Sequence, residues 1–513
     1  VLNLETHSEK KYSPLLEKLS KELKGYSLQQ VKDFFELADQ SKIYKSTISV
    51  CEHCLEHNKA IIYQQDNKVW IKNNCIEHGF SINLIENDVS FYKLSNKDLW
   101  GKKYQQNNEF YIPEYSSCCG PSNSSCCAKP DNYTSQLLNK SCTVLVEVTN
   151  ACNMACRVCY ADAAGDKILA IDQFKQYILQ LISDKNFIDS IQVTGGEATI
   201  HPQFWEMVRW LYDLDQIGKI YLPTNGLEIS KKEVAESLKS MRDKILVLLQ
   251  FDGIESKTNT SLRRANTLKI RERAIESLAK QKICMQLTMT VAQDLSEKEI
   301  SWVMKQGLKH KHIRLIGFLP TFYTGRYQLA KDGKRRPTLS TVVHALAEAM
   351  PEKLNIKDFS PIPCSHPNCG WTTLFARRFG LLFNITQKID LNAAMNEVAY
   401  KTILDKNEIH SVLGSGKKTW FGKILTNIGK KLIRPCDVFG IAIKPFMDQF
   451  NYDLDRVSNC CHHILSTEGQ LVSFCEYNTR LRMHDSWENN LKIYGDHQKT
   501  ALAIKQKLEI KSE

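Results

Sequence analysis

Cys152, Cys156 and Cys159 stand at the spacing C-x3-C-x2-C, directly after an apolar run from Thr143 to Val148. Three thiolates can hold three irons of a [4Fe–4S] cube and leave the fourth iron open. An open iron can bind a small chelating ligand, so such a cluster is reactive rather than a sealed electron carrier. Tetrahedral zinc fits three cysteines without a local fourth ligand poorly. The apolar run reads as a buried strand, which places the cysteine loop at a strand's end.

Further segments could meet a ligand beside that loop. Thr194-Gly195-Gly196-Glu197 combines close backbone approach with a carboxylate that can meet an ammonium. Thr224 and Asn225, before Gly226, offer hydroxyl and amide contacts to a ribose. Gln250-Phe251-Asp252-Gly253 brings Asp252 as a polar contact deeper inside. Gly317-Phe318-Leu319-Pro320 and Thr324-Gly325-Arg326 follow. An isolated Gly-Gly or Asn-Gly is an ordinary turn. In register with the cysteine loop, these segments describe one site.

The elements that must position them alternate. Strands are expected over Thr143–Val148, Ser190–Thr194, Lys219–Leu222, Ile245–Phe251, Met285–Val291 and His312–Phe318, with helices near 171–184, 203–214, 232–242, 265–281 and 297–307. Six such alternations predict an α/β fold, a parallel barrel or partial barrel. Each candidate segment then falls at a strand's C-terminal end, where barrels carry their sites.

The other cysteines group outside this core. Cys51 and Cys54, an Ile61-Ile62-Tyr63 / Val69-Trp70-Ile71 hairpin, then Cys75 and His78 read as a small ribbon folded around one metal. Its fourth ligand is His78 or a cysteine among 118–127, and the metal is zinc or a rubredoxin-like single iron. A Ser- and Asn-rich loop carries Cys118-Cys119 and Cys126-Cys127, with Cys119 and Cys126 expected as metal ligands. Cys364, Cys369, Cys461 (or Cys460) and Cys475 could supply four thiolates to one auxiliary [4Fe–4S] cluster. Cys142, Cys284 and Cys436 read as buried thiols.

The chain has 513 residues, 42% of them hydrophobic and 24% charged, the composition of an ordinary soluble protein. No apolar run is long enough to span a bilayer and no signal-peptide pattern opens the sequence. Eighteen cysteines without an export signal favour metal ligation over disulfides. A net charge of +11 is modest for this length, and no nucleic-acid partner is expected. The expected divisions are a helical leader at 1–42, a cysteine-rich region at 43–142, a core at 143–326 and a C-terminal cluster and substrate region at 327–513. One amphipathic stretch, with Phe421, Ile424, Leu425, Ile428 and Leu432 on one helical face and lysines beside it, has the pattern of a membrane-interface helix.

The cysteine spacing after a first strand, with Gly195-Gly196-Glu197 after the second, resembles the radical S-adenosylmethionine (SAM) superfamily. The resemblance implies a partial (β/α)6 TIM-type radical SAM barrel with an N-terminal metal ribbon and a C-terminal auxiliary-cluster region. It implies a [4Fe–4S] cluster on Cys152, Cys156 and Cys159, SAM with its amino group at Gly195, Gly196 and Glu197, and a 5′-deoxyadenosyl radical that abstracts hydrogen. More narrowly, the ribbon, Cys364-Ser365-His366-Pro367-Asn368-Cys369 and the tail from Phe446-Met447-Asp448 to Phe474-Cys475-Glu476-Tyr477-Asn478 resemble the tetraether lipid synthase subgroup. That subgroup implies C–C coupling of lipid hydrocarbon chains, membrane-surface contact from the cytoplasmic side, and a low-potential donor such as ferredoxin or flavodoxin. Arg377 and Arg378 would then meet a lipid phosphate. Methylation of a small molecule such as a pterin, peptide modification, and a non-catalytic iron–sulfur protein are the alternatives.

Overall fold

The structure is a computed structural model that describes residues 26–94, 141–387 and 437–483, except 363, 379 and 468. Cys118, Cys119, Cys126, Cys127, Cys436, residues 1–25 of the expected helical leader and the amphipathic stretch at 420–432 lie outside the described residues.

The N-terminal unit is a four-stranded antiparallel sheet, β1 (Lys42–Val50), β2 (His57–Gln65), β3 (Lys68–Cys75) and β4 (Gly79–Glu86), in that order. Asp66 and Asn67 join β2 to β3 with φ of 51° and 59°, the positive values that a two-residue hairpin turn matching strand twist requires. Helix α1 (Leu28–Phe34) is capped by Ser27 and Gln30 and lays Val31 on Ile43, Ile61 and Tyr63. The other face packs Ala60, Ile62 and Ile71 under Val89 and Tyr92 of α2 (Val89–Leu94). The sheet is therefore covered on both faces and is larger than the hairpin the sequence suggests.

The core follows as β5 (Thr143–Thr149), β6 (Val158–Cys159), α3 (Ile171–Lys185), β7 (Ile188–Gly195), α4 (Phe204–Asp213), β8 (Ile217–Thr224), α5 (Lys232–Ser237) and β9 (Ile245–Gln250). Then come α6 (Ser256–Arg263), α7 (Leu268–Lys280), β10 (Cys284–Val291), α8 (Ile300–Lys309) and β11 (Ile313–Pro320). The six expected strands pair in parallel as β5-β7-β8-β9-β10-β11. Alternation sorts their side chains: Met285, Leu287, Met289 and Val291 of β10 are buried in the helix-facing core, while Gln286, Thr288 and Thr290 line a cavity.

The C-terminal region joins this sheet rather than forming a separate layer. It contributes β12 (Arg326–Tyr327), α9 (Leu339–Ala349), β13 (Ser360–Pro361), β14 (Trp371–Arg378), β15 (Leu381–Asn384), β16 (Val438–Ile443), α10 (Leu454–Ser458), β17 (His462–Leu465) and β18 (Leu471–Ser473). β16 pairs in parallel with β11 and β17 in parallel with β5, so eight parallel strands run in succession, from β16 through β11 and β5 to β17. The two ends of the sheet approach each other. Phe446, just past β16, lies 5.7 Å from the His462 ring and 4.5 Å from Phe474.

A buried ion pair and hydrogen bonds fasten the N-terminal sheet to this body, and a second buried ion pair braces the body itself. Lys45 of β1 is completely enclosed and donates to Asp453 at 2.7 Å and Asp455 at 3.0 Å. Glu86 of β4 accepts from Thr338 and Ser340 at the start of α9. The Asp448 of the Phe-Met-Asp segment takes a bidentate pair from Arg336, at 2.7 and 2.9 Å.

Candidate active site and metal-ligating groups

The Cys152–Cys159 loop is fixed through its backbone. Arg157 N–H donates to Leu262 O at 2.9 Å, Arg326 Nε to Cys156 O at 2.8 Å and Arg263 Nη1 to Val158 O at 3.2 Å. β6 pairs with β12, joining Cys159 to Arg326. All three thiols are half-buried and line the cavity. Burial and the nearby Glu197 carboxylate push the Cys152 thiol well above its ordinary range. The three do not converge to within the 4.8 Å that brings the ribbon ligands around a single ion. A wider set of three thiols opening on a cavity fits an open [4Fe–4S] cluster and does not fit one zinc ion.

Gly195 and Gly196 serve the protein backbone before any ligand. A Cβ on Gly195, at φ 130°, would lie 2.1 Å from Thr149 O, and one on Gly196 would lie 1.9 Å from Ala151 O. The close approach lets Gly196 N–H donate to Thr149 O and Glu197 N–H to Ala151 O, at 2.8 and 2.9 Å. Those bonds seat β7 against the start of the cysteine loop. Glu197 is buried, which raises its pKa, and accepts from Thr199 Oγ1, Thr224 Oγ1 and Asn225 N–H at 2.5, 2.9 and 2.8 Å. Asn225 Nδ2 donates to Asn153 Oδ1 at 2.7 Å, a link to the cysteine loop that the sequence did not reveal. Gly195, Gly196, Glu197, Thr224 and Asn225 all line the same cavity as the three cysteines.

Asp252 differs from its expected role as a ligand contact. It is fully buried beneath two arginines and is absent from the cavity wall. Arg263 grips it through Nε at 2.8 Å and Nη2 at 2.9 Å, and Arg271 Nη1 adds a contact at 3.3 Å. Burial opposes ionisation, yet the two guanidinium groups hold the carboxyl down at about 2. The arginines themselves reach the cavity, and Arg271 Nη2 has no partner among the described residues. A carboxylate-bearing ligand would find its donor there. Arg271 lies on α7, within the stretch read from sequence only as an amphipathic helix, whereas Arg263 ends the polar α6, which the sequence reading did not name.

The ribbon ligands converge. Cys54 and Cys75 Sγ are 3.8 Å apart, and His78 Nδ1 is 3.5 Å from Cys51 Sγ and 3.6 Å from Cys75 Sγ. Two thiolates about 2.3 Å from one tetrahedral ion would lie about 3.8 Å apart, so the spacing fits a single metal. His78 as the fourth member makes a Cys3His set, which suits zinc better than the all-sulfur rubredoxin iron.

The C-terminal cysteines divide differently from the expected single group. Cys364 and Cys461 Sγ are 3.2 Å apart and Cys142 joins them, so it is not a lone buried thiol. Cys369, Cys460 and Cys475 form a second neighbourhood, in which burial and the charge of its cysteine neighbours push the thiols up. Arg456 Nε lies 3.4 Å from Cys369 Sγ there. Cys461 belongs to the first group while its neighbour Cys460 belongs to the second. Replacing Cys142 by Ser is therefore expected to remove the metal of the first group and spare that of the second. Iron and zinc analysis of the variant checks this, and an unchanged metal content would contradict it.

A family model described as the Radical SAM superfamily matches residues 146–306, and one described as the HMPTM N-terminal zinc ribbon domain matches residues 43–87. The chain is 25% identical over 514 residues to the 7,8-dihydro-6-hydroxymethylpterin dimethyltransferase of Methanocaldococcus jannaschii, covering 88% of this chain and 98% of that protein. It is 31% identical over 119 residues to the antilisterial bacteriocin subtilosin biosynthesis protein AlbA of Bacillus subtilis, 23% of this chain and 25% of that protein. Among solved structures, Streptococcus suis SuiB bound to the precursor peptide SuiA aligns with a TM-score of 0.37 and 16% identity, over 60% of this chain and 72% of that one.

Proposed function

The chain is a radical SAM enzyme, dependent on iron–sulfur, and on that premise we propose that it methylates a small planar heterocycle of the pterin class. The observation that carries this reading is the wall of the cavity next to Cys159. Tyr160, Phe322, Phe446 and Phe474 form a connected aromatic surface there, with ring centroids 4.5 to 6.3 Å apart. Flat rings stack on such a surface. Gln192, Gln250 and Gln286 present amides from β7, β9 and β10 inside the same cavity, which has a volume of about 580 Å³. That size suits a small molecule, and a few polar groups in an otherwise apolar lining fix its orientation. The pterin dimethyltransferase likeness, which runs nearly the whole length of both proteins, supports the same substrate class.

When bound, the cluster and one SAM would supply a 5′-deoxyadenosyl radical that removes a hydrogen atom from an unactivated C–H bond, and a second SAM would supply the methyl group that replaces it, leaving S-adenosylhomocysteine. The chain's own residues position and shield. Glu197 holds Thr224 and Asn225 in place, Arg271 offers a donor to a carboxylate, and the aromatic wall presents the substrate to the cysteine loop. A low-potential reductant such as flavodoxin or ferredoxin completes the system.

Coupling of lipid chains has one observation in its favour. Leu381 and Phe383 stand 57% and 51% exposed on the β14–β15 hairpin, whose Leu374 lines the cavity. Arg377, expected at a lipid phosphate, is instead committed to the carbonyls of Gly307, His310, Lys311 and Ile313 around the end of α8. Arg378 faces Asp437 at 3.7 Å. Among the described residues no helix is long and apolar enough to cross a membrane.

The test is anaerobic turnover with SAM and 7,8-dihydro-6-hydroxymethylpterin, read by mass spectrometry. A product heavier by one or two methyl groups is expected. Phe446→Ala with Phe474→Ala should lower its formation about tenfold or more, as loss of stacking worth about 1.5 kcal/mol predicts, and leave uncoupled SAM cleavage in place. An unmodified pterin, with joined hydrocarbon chains formed from added lipid, would replace this reading by lipid coupling.

A further inference from the structure

Among the described residues three cationic side chains line the cavity: Arg263, Arg271 and Lys444. The arginines share Asp252. Lys444 has neither an ion pair nor a side-chain hydrogen bond among the described residues. Among the described residues the sole carboxylate on the cavity wall is Glu197, which is occupied by Thr199, Thr224 and Asn225. An ammonium is strongly hydrated, and withdrawing it from bulk water without an acceptor is costly.

Its position is well defined. Lys444 follows the last residue of β16, and its backbone N–H donates to Phe318 O at 3.0 Å. It lines the cavity together with His462 and stands two residues before Phe446. The His462 ring lies 5.7 Å from Phe446 and 5.5 Å from Phe474, so it continues the aromatic wall. The nitrogens of that ring have no hydrogen-bond partner among the described residues, and the residue lines the cavity. A three-donor ammonium and an imidazole N–H thus line the same cavity as the stacking surface.

We propose that Lys444, with His462 beside it, anchors a phosphate group carried by the substrate. The inference rests on the reading of the cavity as a small-molecule site. Two donors at one edge match the several oxygens of a phosphate, and the charge-assisted bonds favour it over a neutral hydroxymethyl group. The phosphate could belong to a pterin ester or to a lipid headgroup, and the experiment separates these sources.

Metal-loaded full-length enzyme with SAM is titrated with 7,8-dihydro-6-hydroxymethylpterin, with its phosphate ester, and with vesicles containing phosphatidylglycerol. The wild type should bind the ester at least about tenfold more tightly than the neutral pterin, the effect of one charge-assisted contact. Lys444→Met should erase that preference while leaving the neutral pterin's affinity unchanged, and Lys444→Arg should keep most of it. No preference in the wild type, or a preference that survives Lys444→Met, overturns the anchor and leaves the pterin reading intact. Vesicle binding that depends on Lys444, with neither pterin bound, keeps the anchor and overturns the pterin reading. Loss of metal in Lys444→Met with the preference retained makes Lys444 a counter-charge to Cys461 and overturns the proposal. Failure of all three probes overturns both readings.

Discussion

Replacing Cys152, Cys156 and Cys159 together by Ala is expected to reduce 5′-deoxyadenosine formation from SAM to background in anaerobically reconstituted, dithionite-reduced protein. The three thiols line the cavity with Gly195, Gly196 and Glu197, and no other described cysteine lines it. No described thiol is therefore placed to substitute for them. The variant should nevertheless keep metal. Cys51, Cys54, Cys75 and His78 converge on their own, as do Cys142, Cys364 and Cys461. The loop's fold should also persist, because its anchors are backbone carbonyls gripped by Arg263 and Arg326 rather than the thiols. Chromatography of the nucleoside products and elemental analysis of the same sample check both halves. Deoxyadenosine made at the wild-type rate would sink the assignment of these cysteines. Loss of all iron and zinc would count against the separate metal groups.

What could be read in advance follows the range of the forces involved. The six core strands were legible because their apolar residues recur against helices of ordinary length, a local pattern. β17 was not, since it is only His462–Leu465 and owes its existence to pairing with β5, more than three hundred positions earlier. β16 is apolar enough to be a strand, but nothing in Val438–Ile443 tells that its partner is β11. Four-residue pieces acquire structure from a neighbour, and sequence periodicity does not report the neighbour.

The site shows the same division. Cys152, Cys156 and Cys159 declare themselves because three ligands fall within eight positions. Cys142, Cys364 and Cys461 do not, since their grouping depends on how the sheet's ends approach. Proximity in sequence was misleading at Cys460-Cys461, where two neighbours serve two groups. Lys444 carried no motif at all. Its interest comes from the lack of an ion pair among the described residues, which only a folded cavity can reveal. Gly195-Gly196 was recognised as a place of close approach, but the surface approached is the backbone at Thr149 and Ala151.

Asp252→Asn is expected to destabilise the protein by about 3–5 kcal/mol, the usual consequence of leaving a buried charge without its partner. Here the stranded charges are Arg263 and Arg271, 8% and 1% exposed. An amide can still accept from one of them, but it neutralises neither. The effect should spread to the cofactor loop, because Arg263 also holds Val158 O, and to the cavity wall, because Arg271 would lose its tether. The pH dependence gives a second signature. The folded carboxyl titrates at about 2, below its usual 3.8. A depressed carboxylate stabilises the fold fully above pH 4 and loses that contribution as the pH falls towards 2. The deficit of the Asn variant should accordingly be complete at pH 7 and shrink between about pH 4 and 2, where the wild type is protonated as well. Loss of metal in acid affects both proteins and cancels in the difference. Denaturant unfolding of the two, run in parallel at pH 7 and pH 3, measures it. Equal midpoints at pH 7 would mean that Asp252 does not hold the two arginines, and the positioning role assigned to it would fall.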